Sequence, residues 1–105
     1  MYRIFIVEDD EIIANLLKKN LCSWGYEISC AEDFSNIIQD FARLDPQLIL
    51  LDLKLPFYNG FHWCEEIRKV SQVPVIFISS VSGYNIQKLK DLLWNMLQRE
   101  NPENR

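Results

Sequence analysis

Short apolar runs alternate along the chain with segments in which apolar residues recur every three or four positions. Such runs, rich in β-branched residues, are typical of strands covered on both faces of a parallel sheet. The predicted strands, of which the second is the weakest, cover 4–7, 27–31, 48–51 and 75–78. The predicted amphipathic helices cover 12–21, 34–41, 61–68 and 86–97. This strict alternation predicts an α/β fold with right-handed crossovers.

Glycine, proline and aspartate residues predict where the helices begin and end. Gly25 is a favourable residue just beyond the end of the first helix. Asp33 is placed to cap the start of the second helix, and the Asp45-Pro46 pair should end it. No repeat, low-complexity segment or linker divides the chain, so we expect a single domain over residues 1–105.

The composition narrows the class of protein. The chain has 105 residues with a net charge of −4, which argues against a nucleic-acid-binding face because such faces usually carry a basic stripe. Its three cysteines form no C-x-x-C pair, so we expect reduced thiols in a cytoplasmic protein. No signal peptide is visible, and no apolar run is long enough to cross a membrane.

Acidic and hydroxyl residues follow three of the predicted strands. Glu8, Asp9 and Asp10 follow the first strand, Asp52 the third and Ser79-Ser80 the fourth. Ligands of open parallel sheets lie beyond the carboxyl ends of the strands, so these side chains should meet at one edge. Crowded carboxylates raise one another's pKa unless a cation compensates, and their hard oxygens suit Mg²⁺. An aspartate can also accept a phosphoryl group.

Three motifs in this order resemble those of response-regulator receiver domains. They are Ile-Val-Glu-Asp-Asp at 6–10, Leu-Leu-Asp-Leu-Lys-Leu-Pro-Phe-Tyr-Asn-Gly at 50–60 and Pro-Val-Ile-Phe-Ile-Ser-Ser at 74–80. Residues 1–80 are similar to winged-helix-class regulators that respond to cell-envelope or antimicrobial-peptide stress. The resemblance implies a flavodoxin-like, three-layer α/β/α fold with four parallel strands in the order 2-1-3-4.

The resemblance also implies a role for each residue of the acidic set. Asp52 would be the phosphoacceptor. Asp9 and Asp52 would ligate Mg²⁺ directly, together with the backbone carbonyl of Lys54, while Glu8 would act through a metal-bound water. Ser79 would contact a phosphoryl oxygen. Two further residues would shape the loop over the site: Pro56 and Gly60.

Each of these residues also has a simpler interpretation. The acidic run 8–10 could be a helix N-terminus, which favours negative charge, and Asp52 could be an ordinary residue at the end of a strand. Ser79 and Ser80 could cap a turn. The simpler interpretation is weaker for the carboxylates than for the serines, because the acidic residues lie in register at neighbouring strand ends.

The implied function is that of a phosphoacceptor domain in a two-component signal-transduction system, not of an enzyme. Its implied partner is a sensor histidine kinase, with no direct contact to nucleic acid or membrane. The alternative is an engineered or recombined α/β fusion without biochemical activity. Phosphoryl transfer to Asp52 separates these two hypotheses.

The sequence departs from the receiver pattern after residue 80. No later apolar run predicts a fifth strand, so the fifth-strand lysine and aromatic residue of receivers are absent, and we expect an impaired switch. Residues 75–105 instead resemble the last strand and helix of Obg-type GTPases, which suggests a chimera. Without a G-x-x-x-x-G-K-[ST] loop, nucleotide binding is not expected. The open fourth-strand edge, or the last helix, predicts a homodimer.

Overall fold

A computed structural model describes residues 2–78 and 89–95. The elements follow one another as β1 (Arg3–Val7), α1 (Glu11–Ser23), β2 (Glu27–Cys30), α2 (Ile37–Leu44), β3 (Leu48–Asp52), α3 (Gly60–Arg68) and β4 (Val75–Ile78). Residues 89–95 are helical and are labelled α4. No helix within the described ranges has the length and apolar character needed to cross a membrane.

The four strands form one parallel sheet in the order β2-β1-β3-β4, which confirms the predicted fold. Strands β1 and β3 occupy the centre, and all five residues of β3 are buried. Burial on both sides explains why β3 is a continuous apolar run without polar alternation. The sheet therefore places the ends of β1 and β3 side by side in the middle of the molecule.

Helices cover both faces of the sheet. On one face, Phe5, Val7, Ile49 and Leu51 pack with residues of α2 and α3. On the other, the alternate residues of the same strands pack with α1 and α4: Ile4, Ile6, Leu48 and Leu50. Side chains of successive strand residues point to opposite faces, so the two clusters are separated by the sheet itself.

The second helix begins later than the sequence predicted. Asp33 does not cap it: the Asp33 side chain accepts a hydrogen bond from the backbone N–H of Ser35 at 3.0 Å and so closes a turn instead. Asn36 is the N-cap residue and accepts from the N–H of Gln39. The predicted end is confirmed, because Asp45 adopts a left-handed conformation with φ of 46°.

Helix α4 lies on the α1 face of the sheet. Leu89 and Leu93 are buried against the β1–β3 core, whereas Leu92, which the sequence placed on the same stripe, is 44% exposed. The ammonium group of Lys90 lies 5.3 Å from the ring centroid of Trp24. The remaining predicted stripe positions lie outside the described residues: Ile86, Met96 and Leu97.

Candidate metal centre

Three carboxylates meet where the central strands end. Glu8 directly follows β1, Asp9 is next along the chain, and Asp52 is the last residue of β3. One oxygen from each lies within 4.8 Å of the others. Glu8 and Asp52 are buried, at 5% and 4% exposure, and Asp9 is exposed. The predicted convergence of these three side chains is therefore confirmed.

The register of the two strands explains why these side chains meet. Val7 lies opposite Leu51 in the parallel β1–β3 pair, so the next residues, Glu8 and Asp52, leave the sheet side by side. Asp10 has a different role: its side chain accepts from the first N–H groups of α1 and forms the N-cap. The helix-start interpretation thus holds for Asp10, whereas Glu8 and Asp9 belong to the carboxylate cluster.

The surroundings of Glu8 disfavour the ionised form of its carboxyl group. Burial, a side-chain hydrogen bond with Asp52 and the negative charges of Asp52 and Asp9 raise the pKa of Glu8 from 4.5 to about 7, although an N–H donated by Asp10 opposes the shift. The buried atom Glu8 Oε1 has no hydrogen-bond partner among the described residues. An unpaired carboxylate oxygen beside two other carboxylates fits a divalent cation bound by oxygen ligands, such as Mg²⁺.

Lys54 lies close to Asp52, at the point where the chain leaves β3. The backbone N–H of Lys54 lies 3.4 Å from Asp52 Oδ1, so the chain turns back over the carboxylate directly after β3. The predicted use of the Lys54 carbonyl as a metal ligand stays a prediction. Ser79, the predicted phosphoryl contact, lies outside the described residues, as does Ser80.

Gly60 allows α3 to start against the end of β3. A Cβ atom at this position would collide with the carbonyl oxygen of Asp52, and the Gly60 N–H donates to the carbonyl of Leu53 at 2.9 Å. Any larger residue would therefore push the helix away from the phosphoacceptor candidate. The sequence marked Gly60 as a loop residue but gave no sign of this close backbone contact.

Aromatic rings fix the loop between β3 and α3. The Tyr58 and His62 rings are stacked with centroids 4.3 Å apart, and both contact the Trp63 ring edge-on. Phe57 is exposed and has a φ of 69°, which is uncommon for a non-glycine residue. The sequence interpretation did not foresee this cluster, because its members are adjacent only once the loop has folded.

An acidic cleft of about 470 Å³ opens beside the carboxylates. It is lined by Glu8 and Asp9 from the cluster and by Glu11 and Asn15 from α1. Glu32, just beyond β2, also lines the cleft. The cleft gives solvent-borne ligands a route to Asp9, the one exposed carboxylate of the three.

Comparisons with known proteins agree with this geometry. The family model for the response regulator receiver domain matches residues 4–98. The chain is 52% identical over 80 residues to the uncharacterized transcriptional regulatory protein YvcP of Bacillus subtilis, a match that covers 76% of this chain and 34% of YvcP. It spans about a third of the length of the curated relatives it matches.

Solved structures give the same result. The N-terminal domain of the nisin resistance regulator NsrR superposes with a TM-score of 0.70 at 44% identity, over 78% of this chain and 69% of that one. TrrA of Thermotoga maritima in complex with Mg²⁺-BeF superposes with a TM-score of 0.81 at 27% identity, over 90% of this chain and 98% of TrrA. TrrA has also been solved in complex with the histidine kinase ThkA. With the matching sheet order and carboxylates at its central strand ends, this chain belongs to the response-regulator receiver-domain family.

Proposed function

We propose that the chain accepts a phosphoryl group on Asp52 while Mg²⁺ is held by the adjacent carboxylates. The observation that supports this most strongly is the three-carboxylate cluster at the ends of β1 and β3, with its unpaired, buried Glu8 oxygen. Asp9 and Asp52 would bind the ion directly, and Glu8 would act through a water molecule. The Mg²⁺-BeF complex of TrrA, a member of the same family, is consistent with this arrangement.

The proposed reaction transfers a phosphoryl group from an oxygen or nitrogen atom of the donor to a carboxylate oxygen of Asp52. A carboxylate oxygen of Asp52 attacks the phosphorus of the donor, a new O–P bond forms, and the bond from phosphorus to the donor breaks with its electron pair going to the leaving group. When bound, the cation would neutralise negative charge on the phosphoryl oxygens. Asp52 is buried at the end of a rigid central strand, so this chain contributes mainly positioning of the nucleophile.

Ser79 and Lys54 complete the proposed site. Ser79 would donate its hydroxyl hydrogen to a phosphoryl oxygen, and the Lys54 carbonyl would be a further metal ligand. The support for Lys54 is its position two residues after Asp52, where its N–H already lies near the carboxylate. The support for Ser79 is its sequence position directly after β4, the strand that pairs with β3 beside Asp52.

The proposed phosphoryl donor is a sensor histidine kinase, because a relative in this family, TrrA, forms a complex with the kinase ThkA.

The proposal extends to an impaired output switch, since no apolar run after residue 80 supplies a fifth-strand lysine and aromatic residue. It also includes a chimeric origin of residues 75–105, supported by their resemblance to GTPase sequences. Homologous genes with the same junction would contradict an engineered origin.

The test is intact-mass spectrometry after incubation with acetyl phosphate and Mg²⁺. The chain should gain the mass of one phosphoryl group, and the adduct should be absent from Asp52→Asn and from samples treated with EDTA. Asp45→Asn is the matched control, because it makes the same change at an exposed carboxylate far from the cluster and should leave the adduct intact. No adduct on a chain whose circular dichroism shows a folded protein would contradict the proposal and favour an inactive scaffold.

A further inference from the structure

The outer edge of β4 presents backbone groups to which no described residue bonds. The carbonyl oxygens of Pro74 and Ile78 accept hydrogen bonds from β3, at 3.0 and 3.2 Å. Alternate residues of a parallel strand bond to the same neighbour. The N–H and C=O groups of Val75 and Phe77 therefore point to the other side, where none of residues 2–78 and 89–95 bonds to them.

This edge lacks the features that usually prevent strand pairing. Edge strands of natural proteins commonly carry charges, proline or a bulge. The other edge strand of this sheet, β2, begins with Glu27, whereas β4 reads Val-Ile-Phe-Ile and contains none of these features. Of the two edges that the sheet order defines, β4 is therefore the one suited to pairing with another strand.

An apolar groove lies beside the same edge, on the α3 face of the sheet. Phe61 of α3 and Phe77 of β4 are 61% and 40% exposed, with ring centroids 5.3 Å apart. They line a cleft of about 600 Å³ together with Cys64. On the opposite face, Ile78 and the half-buried Ile76 of β4 pack in the cluster that contains α4, so the most exposed side chain of β4, Phe77, lies on the α3 face.

The charges that border this groove have both signs. Glu65, Arg68 and Lys69 of the α3 region line it together with the two phenylalanines. In a two-fold symmetric interface the same patch faces itself, so it must be self-complementary. A patch that carries one acidic and two basic side chains around an apolar centre meets that condition, whereas a patch of a single sign would repel its copy.

We propose that β4 pairs with β4 of a second copy of this chain, antiparallel and about a two-fold axis at Ile76. Val75 of each copy then lies opposite Phe77 of the other, and each such pair exchanges two backbone hydrogen bonds. The two four-stranded sheets join into one of eight strands. The α3 grooves come to lie on the same side, where the exposed Phe61 and Phe77 rings of both copies are buried. This association does not depend on phosphorylation of Asp52.

The first test is the molar mass of the whole chain by light scattering over a wide range of concentrations. The mass should rise from one chain to two as the concentration increases. Phe77→Lys should remain a monomer throughout, because it places a charge at the centre of the interface. Leu92→Lys is the matched control: it replaces a similarly exposed apolar residue, on α4, and should leave the dimer unchanged. Phe77→Thr also removes the ring but keeps a residue that favours strands. It should likewise remain a monomer, which shows that the result for Phe77→Lys does not come from misfolding.

Charge exchange provides a second test of the symmetry. Glu65→Lys makes all three bordering charges basic, and the double variant Arg68→Glu/Lys69→Glu makes all three acidic, so each should weaken the homodimer because a patch of one sign repels its copy. An equimolar mixture of the two variants should form a heterodimer, since each then offers the sign that the other lacks. Failure of the mixture to associate more strongly than either variant alone would overturn the proposed self-complementary interface.

Amide hydrogen exchange tests the register. The Val75 and Phe77 amides should exchange slowly only at concentrations where the dimer forms, whereas the Ile76 amide, which points toward β3, should be protected at all concentrations. A parent chain that stays monomeric, or a dimer abolished by Leu92→Lys and not by Phe77→Lys, would overturn the proposal. Protection of Val75 and Phe77 in the monomer would also overturn it, because the chain's own residues would then cover the edge.

Discussion

The two central strands and the outer strand β4 have similar sequences but different surroundings. Apart from Arg3 at the start of β1 and Asp52 at the end of β3, the strands β1, β3 and β4 consist of Val, Ile, Leu and Phe. Even so, β3 is buried along its whole length while β4 has one buried residue, Ile78. The central pair carries the carboxylate cluster at its ends. The outer strand has an exposed phenylalanine, Phe77, and an edge to which no other described strand is paired.

This difference shows how position in a sheet decides what a strand can do. A strand with neighbours on both sides and helices on both faces cannot shift, so the residues at its end have fixed positions. That rigidity suits Asp52, whose carboxylate must meet Glu8 and Asp9 closely. A strand with one neighbour retains unpaired backbone groups, which suit association with another chain.

The largest expected effect is a core truncation in the central pair. Leu50→Ala, at a fully buried position of β3, should lower the free energy of unfolding by about 2–5 kcal/mol because it leaves a cavity. Leu92→Ala, the same change at an exposed position, should lower it by less than about 1 kcal/mol. Urea denaturation followed by circular dichroism measures both. Equal losses of unfolding free energy in the two variants would contradict the difference in burial between Leu50 and Leu92.

The next effect concerns the contact between α3 and the end of β3. Gly60→Ala should destabilise the fold by about 1–3 kcal/mol and weaken Mg²⁺ binding, because the added Cβ displaces the Asp52 backbone. Gly25→Ala is the control: glycine adopts φ of 94° freely but alanine does not, and nothing lies where the added Cβ would be, so the change should cost about 1 kcal/mol and leave Mg²⁺ binding unchanged. Unchanged ion affinity in Gly60→Ala would contradict the account.

A smaller effect depends on pH and isolates the carboxylate cluster. The folded-state pKa of Glu8 is raised from 4.5 to about 7, so ionisation of Glu8 destabilises the metal-free protein as the pH rises through this interval. Glu8→Gln removes this penalty. In EDTA, the variant should match the parent below pH 4.5 and exceed it by on the order of 1–2 kcal/mol at pH 8, since solvent near the site screens part of the shift.

Denaturation of both proteins across this pH range provides the measurement. Asp33→Asn serves as a control, because Asp33 is exposed and its pKa is lowered by hydrogen bonds from Ser35, so its contribution to stability has the opposite pH dependence. A stability difference between Glu8→Gln and the parent that is independent of pH would contradict the electrostatic explanation.

The smallest effect is expected at the outer strand. Phe77→Ala should change the free energy of unfolding of the dilute monomer by about 1 kcal/mol or less, because the ring is 40% exposed there. The same variant should greatly weaken the proposed association at high concentration. Dilute-solution denaturation and concentrated-solution light scattering together separate the two contributions. A large loss of stability in the dilute monomer would place Phe77 in the core instead.

The sequence predicted the parts of the molecule that local pattern controls. The strand runs and the meeting of Glu8, Asp9 and Asp52 follow from hydrophobic periodicity and from the rule that strand ends share an edge, whereas the sheet order came from the resemblance to receiver domains. The start of α2 was wrong, because Asp33 and Asn36 are both good capping residues and only the turn closed by Ser35 decides between them.

Features that depend on contacts between distant residues could not be read from the pattern. The collision that requires Gly60 involves the Asp52 backbone eight residues away. The exposure of Leu92 depends on which side of α4 faces the sheet, and a helical stripe alone is too wide to decide this. The unpaired Glu8 oxygen likewise emerges only when the strand ends are brought together.

The ends of β1 and β3 are proposed to form a cation site. Isothermal titration of the whole chain with Mg²⁺ at pH 8 tests it most directly, with Asp9→Asn and Asp52→Asn as site variants and Asp45→Asn as the control. We expect one bound ion per chain, with binding lost or strongly weakened in both site variants and unchanged in the control. Absence of binding to the folded parent chain, or binding that survives both site substitutions, would contradict it.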